Sequence, residues 1–215
     1  MIRLSRTTKM DGILSWSLPA GSTCPGSYQS DGIMVDACKG CYAKQGRYPA
    51  PNVREPREHN RRDWWRDEWV EEMVWALNDR RWFRWFDSGD VYHPDLAAKI
   101  LEVMKKAWWI SHWLPTRCHK LERTRGILEE MNSLPNVCVR YSSDSIDGDY
   151  DEIHGSTIIP TPETDDDSLT VCPVYPGNQK TCDRCRACWD KEVKRVAYVA
   201  HGAKVKKLIR LKQVA

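Results

Sequence analysis

Trp82-Phe83-Arg84-Trp85-Phe86, followed at once by Asp87-Ser88-Gly89-Asp90, decides how the rest of the chain is read. Five residues rich in aromatics and bounded by small polar ones fit a buried strand and the turn that ends it. His93-Pro94-Asp95 then opens a helix, with Pro at the first helical position, where its missing N–H costs nothing. Leu96, Ile100, Met104 and Ala107 recur at helical spacing and give that helix one apolar face. Trp109 to Leu114 predicts the next strand, and His119 to Leu134 the next helix, stopped by Pro135. Val137-Cys138-Val139-Arg140-Tyr141 predicts a third strand. The strands start near residues 82, 109 and 137, so the period is about 27 residues, the length of a βα unit. The fold class this predicts is α/β, with parallel strands forming a sheet or a partial (βα) barrel.

Working outward, Ile13 to Leu18 reads as an earlier strand, and Glu55 to Asp79 as one long helix burying Trp65, Trp69, Met73 and Ala76. Ser156 to Pro160 and Leu169 to Val171 read as later strands. Between them, Thr161 to Ser168, with Asp165, Asp166 and Asp167, reads as an exposed loop. The organisation expected is a partial barrel over 1–160, a Cys-rich segment over 161–190 and a basic C-terminal tail over 191–215. That tail holds eight Lys and Arg against one Glu, interleaved with Val and Leu. It reads first as the solvated face of an ordered segment, and second as a contact for nucleic acid or a host protein.

Composition narrows the classes. Hydrophobic residues make up 41% of 215, enough for a core, so a disordered chain is excluded. No apolar run approaches the roughly 18 residues of a membrane span, and Met1 to Lys9 has no secretory apolar stretch, so no membrane partner and a cytoplasmic location are expected. Nine Cys, an odd number, in a reducing compartment point to metal or redox chemistry rather than a disulfide framework.

Parallel α/β folds bind ligands beyond the carboxyl ends of their strands. Those ends read Asp87 to Asp90, Pro115 to Cys118 and Ser142 to Ser145. Ser88, Gly89, Asp90, Arg117, Ser143 and Asp144 are therefore the candidate binders of a small polar ligand. Gly89 permits close backbone approach, Asp90 can accept from an amine, and Arg117 can hold a carboxylate. The plainer reading is that Ser, Gly and Asp serve there as turn and cap residues.

Seven Cys fall into two groups. Cys182, Cys185 and Cys188 follow each other with two-residue gaps and are joined by Cys172, which precedes Pro173. Ferredoxin-type ligand sets share this triple run and remote fourth Cys, so the group is a candidate site for a [4Fe–4S] cluster, with zinc as the alternative. Cys24, Cys38 and Cys41 form the second group, in the loop after the first strand. Three thiolates suit a cluster with one open iron, or a zinc with an open position. Cys118 and Cys138, at or within strands, read as core residues.

The loop ending Cys38-Lys39-Gly40-Cys41-Tyr42-Ala43, with Asp87-Ser88-Gly89-Asp90 after the next strand, resembles the start of radical S-adenosylmethionine (radical SAM) proteins. Their Gly-Gly-Glu segment is Ser88-Gly89-Asp90 here, and thirteen residues separate Cys24 from Cys38 where their motif has three. Thr23-Cys24-Pro25, Cys38 to Ala43, Ser88-Gly89-Asp90, Thr116-Arg117 and Cys182 to Trp189 together resemble a family of small phage proteins named after a mycobacteriophage gene product. The resemblance spans most of residues 10–190. It implies a phage protein acting in an infected bacterial cell, a radical-SAM-like half-barrel, and S-adenosylmethionine as a ligand. Three functions follow as expectations: an iron–sulfur protein with one or two clusters and radical-SAM-like activity, a structural zinc protein with a basic tail, and a redox module with one saturated cluster.

Overall fold

The computed structural model describes residues 1–148 and 155–214. Its strands are β1 (Ser5–Arg6), β2 (Leu14–Trp16), β3 (Trp82–Trp85), β4 (Ser111–Thr116), β5 (Val137–Ser142), β6 (Gly155–Ile159), β7 (Leu169–Val171) and β8 (Arg195–Val199). Its helices are α1 (Asp36–Lys39), α2 (Pro51–Asp63), α3 (Trp69–Ala76), α4 (Pro94–Lys106), α5 (Glu122–Ser133) and α6 (Ala203–Val214). The strands form one eight-stranded sheet in the order β1-β2-β3-β4-β5-β6-β8-β7, parallel at every pairing except β1 with β2. The expected parallel βα units are thus present, and no pairing joins β1 to β7 among the described residues. Among those residues, too, no helix is long and apolar enough to cross a membrane.

Alternation along the strands sorts their side chains onto two faces. Trp16, Phe83, Trp85, Leu114, Val137 and Val139 face the helices and pack with Trp69, Met73, Leu96, Ile100, Met104 and Leu128 into one core. This core is strongly aromatic: Trp16 meets Trp69, Phe86 and Trp85 edge-on at 5.3, 5.8 and 6.1 Å. Cys118 lies in it, as expected of a strand-end Cys.

The opposite face is covered by the Cys-rich segment. Trp189 packs against Trp113 and Trp82 at 5.0 and 5.9 Å, and its indole N–H donates to the Phe83 carbonyl at 2.9 Å. Met10, Ile13, Cys182, Cys188 and Tyr198 join the cluster. Arg140, fully buried on β5, fastens the segment down. Its guanidinium donates to the carbonyls of Ala187 (2.6 Å), Asp190 (2.7 Å) and Cys188 (3.1 Å). A buried cation is tolerable here because backbone carbonyls replace the water it gave up.

Three expectations are corrected. The single helix over Glu55–Asp79 is two, α2 and α3, broken at Trp64 to Glu68. Lys99 on α4 donates to the carbonyls of Trp64, Trp65 and Arg66, satisfying acceptors that a continuous helix would use itself. The break changes the phase, so Trp64 is buried and Trp65, expected inside, is 52% exposed. β4 starts two residues late, at Ser111, leaving Trp109 outside. Finally, residues 191–215, read as a tail, supply β8, which lies inside the sheet between β6 and β7, and α6, which packs beside α1.

Replacing Arg140 with Met takes the guanidinium partner from the carbonyls of Ala187, Cys188, Asp190 and Lys194. Urea unfolding is expected to show a loss of about 3 kcal/mol, and trypsin to cut at Arg184, Arg186 or Lys191 in the still-folded protein. Unchanged stability together with unchanged resistance to trypsin would sink this account of the segment's attachment.

Candidate functional site

The carboxyl edge of the sheet is organised by the turn after β3. Phe86 takes a φ of +56°, unusual for so bulky a residue, and swings the chain so that Asp87 to Asp90 reach both neighbouring strand ends. Asp87 forms a buried pair with Arg57 of α2, at 3.0 and 3.1 Å from one terminal nitrogen to its two oxygens. Burial works against the Asp87 carboxylate, but Arg57 and Arg84 outweigh it and hold its pKa below the ordinary range. The Arg57 Nε donates to the Ser88 hydroxyl at 2.6 Å, which donates onward to the Leu18 carbonyl at 2.7 Å.

Gly89 sits at φ +76°, where a Cβ would stand 2.5 Å from the Leu18 Cβ and 2.7 Å from the Thr23 hydroxyl. Asp90 accepts from the Thr116 hydroxyl (2.6 Å), the Val91 N–H (2.7 Å) and the Arg117 N–H (2.9 Å). Its burial pushes its pKa up against those bonds. Arg117 donates twice to the Ser143 carbonyl, at 2.8 and 3.1 Å, and lies 3.6 Å from Asp144, which Lys120 also grips at 2.7 Å.

All six sequence-predicted ligand residues therefore meet at one edge. Their polar atoms are spent on one another and on neighbouring residues such as Arg57, Leu18, Thr116 and Lys120, so the turn-and-cap reading describes their immediate role. They build the wall against which the first Cys group stands.

The loop carrying Cys24 is seated by Gly26, where a Cβ would fall 2.5 Å from the Arg117 carbonyl. The Cys24 sulfur accepts from the Gly21 N–H at 3.3 Å. Cys38 lies in α1, held by the Ala37 N–H donating to the Asp144 carbonyl at 3.0 Å, and Cys41 follows one turn on, its N–H bonded to the Cys38 carbonyl. Burial, then the carboxylate of Asp90, push the Cys24 thiol up to about 12, with Cys38 and Cys41 adding to the shift. Burial raises Cys38 as well, against the pull of Arg117. Three thiols brought together from two loops thus share one electrostatic neighbourhood with Asp90 and Arg117.

The second group assembles on the other face of the sheet. Cys172 leaves β7 with its N–H on the Ala197 carbonyl (2.8 Å), and Cys182 is tied to the Lys9 carbonyl (2.7 Å). With Cys185 and Cys188 they line one small cavity of about 20 Å³, walled also by Val171, Val196 and Trp189. The Cys188 sulfur lies 3.3 Å from the Tyr198 hydroxyl. Burial raises Cys182 to about 11 and Cys188 to about 12, and each thiol of the pair is raised further by Cys172. The structure therefore places Cys172 with the triple run, as its spacing predicts. Among the described residues, however, no group of three or more His, Cys, Asp or Glu is arranged to hold a metal ion. The thiols are close enough to oppose each other's ionisation, but they are not closed around a single centre.

Sequence reasoning missed the polar residues between these groups. Arg84 lies 4.5 Å over the Trp113 ring, and its Nε is buried with no hydrogen-bond partner. Burial opposes its charge, and the oxygens of Tyr42, Asp87 and Tyr198 reverse the balance and raise its pKa. The Tyr42 hydroxyl donates to the Asp87 carbonyl at 2.6 Å. The available signal was a lone guanidinium alternating with aromatics in a buried strand.

At pH 9 an unperturbed thiol is half ionised, whereas one with a pKa of about 12 is ionised to roughly one part in a thousand. In metal-free protein, Cys24 is expected to react with iodoacetamide roughly 500-fold more slowly than a free thiol, as read by peptide mass spectrometry. Fast labelling of Cys24 would remove the desolvated cluster of thiols.

A family model described as Gene product 88 matches residues 2–207. No curated protein and no solved structure matches the chain.

Proposed function

We propose, from the premise that this chain belongs to the Gene product 88 family, a phage gene-product family, that it is an iron–sulfur protein on a radical-SAM-like partial barrel. Cys172, Cys182, Cys185 and Cys188 would hold one [4Fe–4S] cluster through all four corners. Cys24, Cys38 and Cys41 would hold a second with one iron open toward the carboxyl edge. One observation carries the reading: seven thiols gather from separate stretches of sequence into two half-buried groups, where burial first and neighbouring thiols second raise the pKa of Cys24 and Cys38 in one and of Cys172, Cys182 and Cys188 in the other.

Thiols kept neutral by burial ionise readily only when a bound metal supplies the opposing positive charge, and iron does so. The run Cys182, Cys185 and Cys188 with a remote Cys172 before Pro173 favours a cluster over zinc for the second group, because zinc sites more often split into two separated pairs. When bound, a cluster of this kind supplies one-electron chemistry, and the protein supplies position and electrostatics.

The residues of the carboxyl edge do the positioning. Arg57, Asp87, Ser88 and Asp90 lock the strand ends. Arg117 and Lys120 fix Asp144, and Ala37 ties the Cys38 turn to that same residue. A polar ligand entering the mouth meets a surface already satisfied by its own hydrogen bonds, so little reorganisation accompanies binding. S-adenosylmethionine is the ligand the resemblance implies there, and its place is beside the Cys24, Cys38 and Cys41 group.

The test is iron, zinc and acid-labile sulfide per chain, on protein purified without oxygen. About eight iron and eight sulfide are expected, with Cys185→Ala and Cys38→Ala each losing about four of both. S-adenosylmethionine is expected to change the electron paramagnetic resonance spectrum of Cys185→Ala but not of Cys38→Ala. Stoichiometric zinc without sulfide would replace this reading with a structural zinc protein.

A further inference from the structure

A cavity of about 750 Å³ opens at the carboxyl edge, beside the Cys38 turn. Its wall includes Lys39 paired with Asp36, Lys120 paired with Asp144, the guanidinium of Arg125, and the rings of His119 and Tyr141, which stack on each other at 4.8 Å and 29°. Arg125 is exposed and spends its Nε on the His119 carbonyl. The cavity is in the size range of organic-ligand sites, far larger than an inorganic anion needs.

α6 is tied to one wall residue of this cavity. Its Lys212 pairs with Asp36, itself part of the cavity wall, at 2.7 Å. α6 carries five Lys and Arg and no Asp or Glu. Val205, Leu208 and Ile209 pack inward beside Ala37 and Ile146, and a Cβ on Gly40 would stand 2.5 Å from Val205. That packing leaves Lys206, Lys207 and Arg210 exposed, with Arg210 one helical turn beyond the two adjacent lysines.

We propose that this face binds single-stranded nucleic acid, with the phosphates lying along α6 and one base entering the cavity beside His119 and Tyr141. The charge complementarity is one-sided, because an acid-free cationic row suits a polymer carrying one negative charge per nucleotide. Stacked rings beside the Arg125 guanidinium suit a planar base, and a base can enter a pocket only when it is unpaired. The inference adds a substrate class to the site, and it does not require the thiols to be loaded, since every group invoked is a side chain of the cavity or of α6.

Fluorescence anisotropy of the full chain with labelled 12-mers of oligo-dT and oligo-rU tests it, and comparing the two tells DNA from RNA. Binding is expected to weaken as salt rises, by about 0.7 log units per log unit of salt for each phosphate neutralised. The exposed triple variant Lys206→Glu, Lys207→Glu, Arg210→Glu is expected to weaken binding at least about tenfold and to flatten the salt slope by about 2. His119→Ala is expected to weaken it about threefold or more with the slope unchanged. Should His119→Ala fail to fold, Arg125→Gln reads the cavity instead, with an expected loss of about threefold.

No binding at about 50 mM salt, or a triple variant that binds as the parent does, overturns the proposal. So does equal affinity for a hairpin duplex, or for thymidine monophosphate. Chelator-treated protein is run in parallel. Binding that survives removal of metal, in a protein without sulfide, supports this inference while the iron–sulfur reading fails.

Discussion

At Gly89 the backbone leaves no room for a side chain, and the carboxyl edge is built on that contact. The glycine presses against Leu18 and Thr23, which carries the β2 end and the start of the Cys24 loop onto the end of β3. Ser88 and Asp90, on either side, then hydrogen-bond to the neighbouring strand ends in opposite directions, to Leu18 and to Thr116 with Arg117. Because a positive φ and a close approach coincide at one residue, any other side chain would be strained by conformation and by contact together. The position of Cys24 relative to Cys38 follows from this, since both loops rest on residues that the Ser88 to Asp90 turn fixes.

The sheet uses its two faces differently. The helix-facing side excludes water with Trp, Leu and Met and needs few polar partners. The other side buries cations, Arg84 and Arg140, and spends backbone and tyrosine oxygens on them. Arg140 is satisfied by carbonyls from a segment that has no regular secondary structure, so the polar bonds that hold the Cys-rich segment also fix its irregular course. Removing either the arginine or the segment would expose what the other covers.

The middle of the fold was legible in the sequence because each of its signals is local. Aromatic strand, polar turn, Pro-opened helix and 27-residue period all lie within one βα unit, and β3, α4, β4, α5 and β5 follow them closely. The helix break at Trp64 was hidden because its cause is Lys99, more than thirty residues on. β8 was hidden because its five residues sit among Lys and Arg, and only pairing on both edges with β6 and β7 makes them an interior strand. At the site, the strand-end residues were legible as a place but not as a network, since Arg57 and Gly26, which complete it, carry no mark in a single sequence.

The position of β8 has a consequence in time. Among the described residues β7 pairs with no strand but β8, which follows it in the chain, and Cys172 draws its backbone partner from Ala197. On a ribosome the four Cys of the second group are therefore all made before the strand that seats the first of them exists. Their gathering waits for β8, and until then they are a flexible run of thiols rather than a shaped site. The fold thereby sets an order of assembly in which this group is seated only after the whole Cys-rich segment and β8 have emerged.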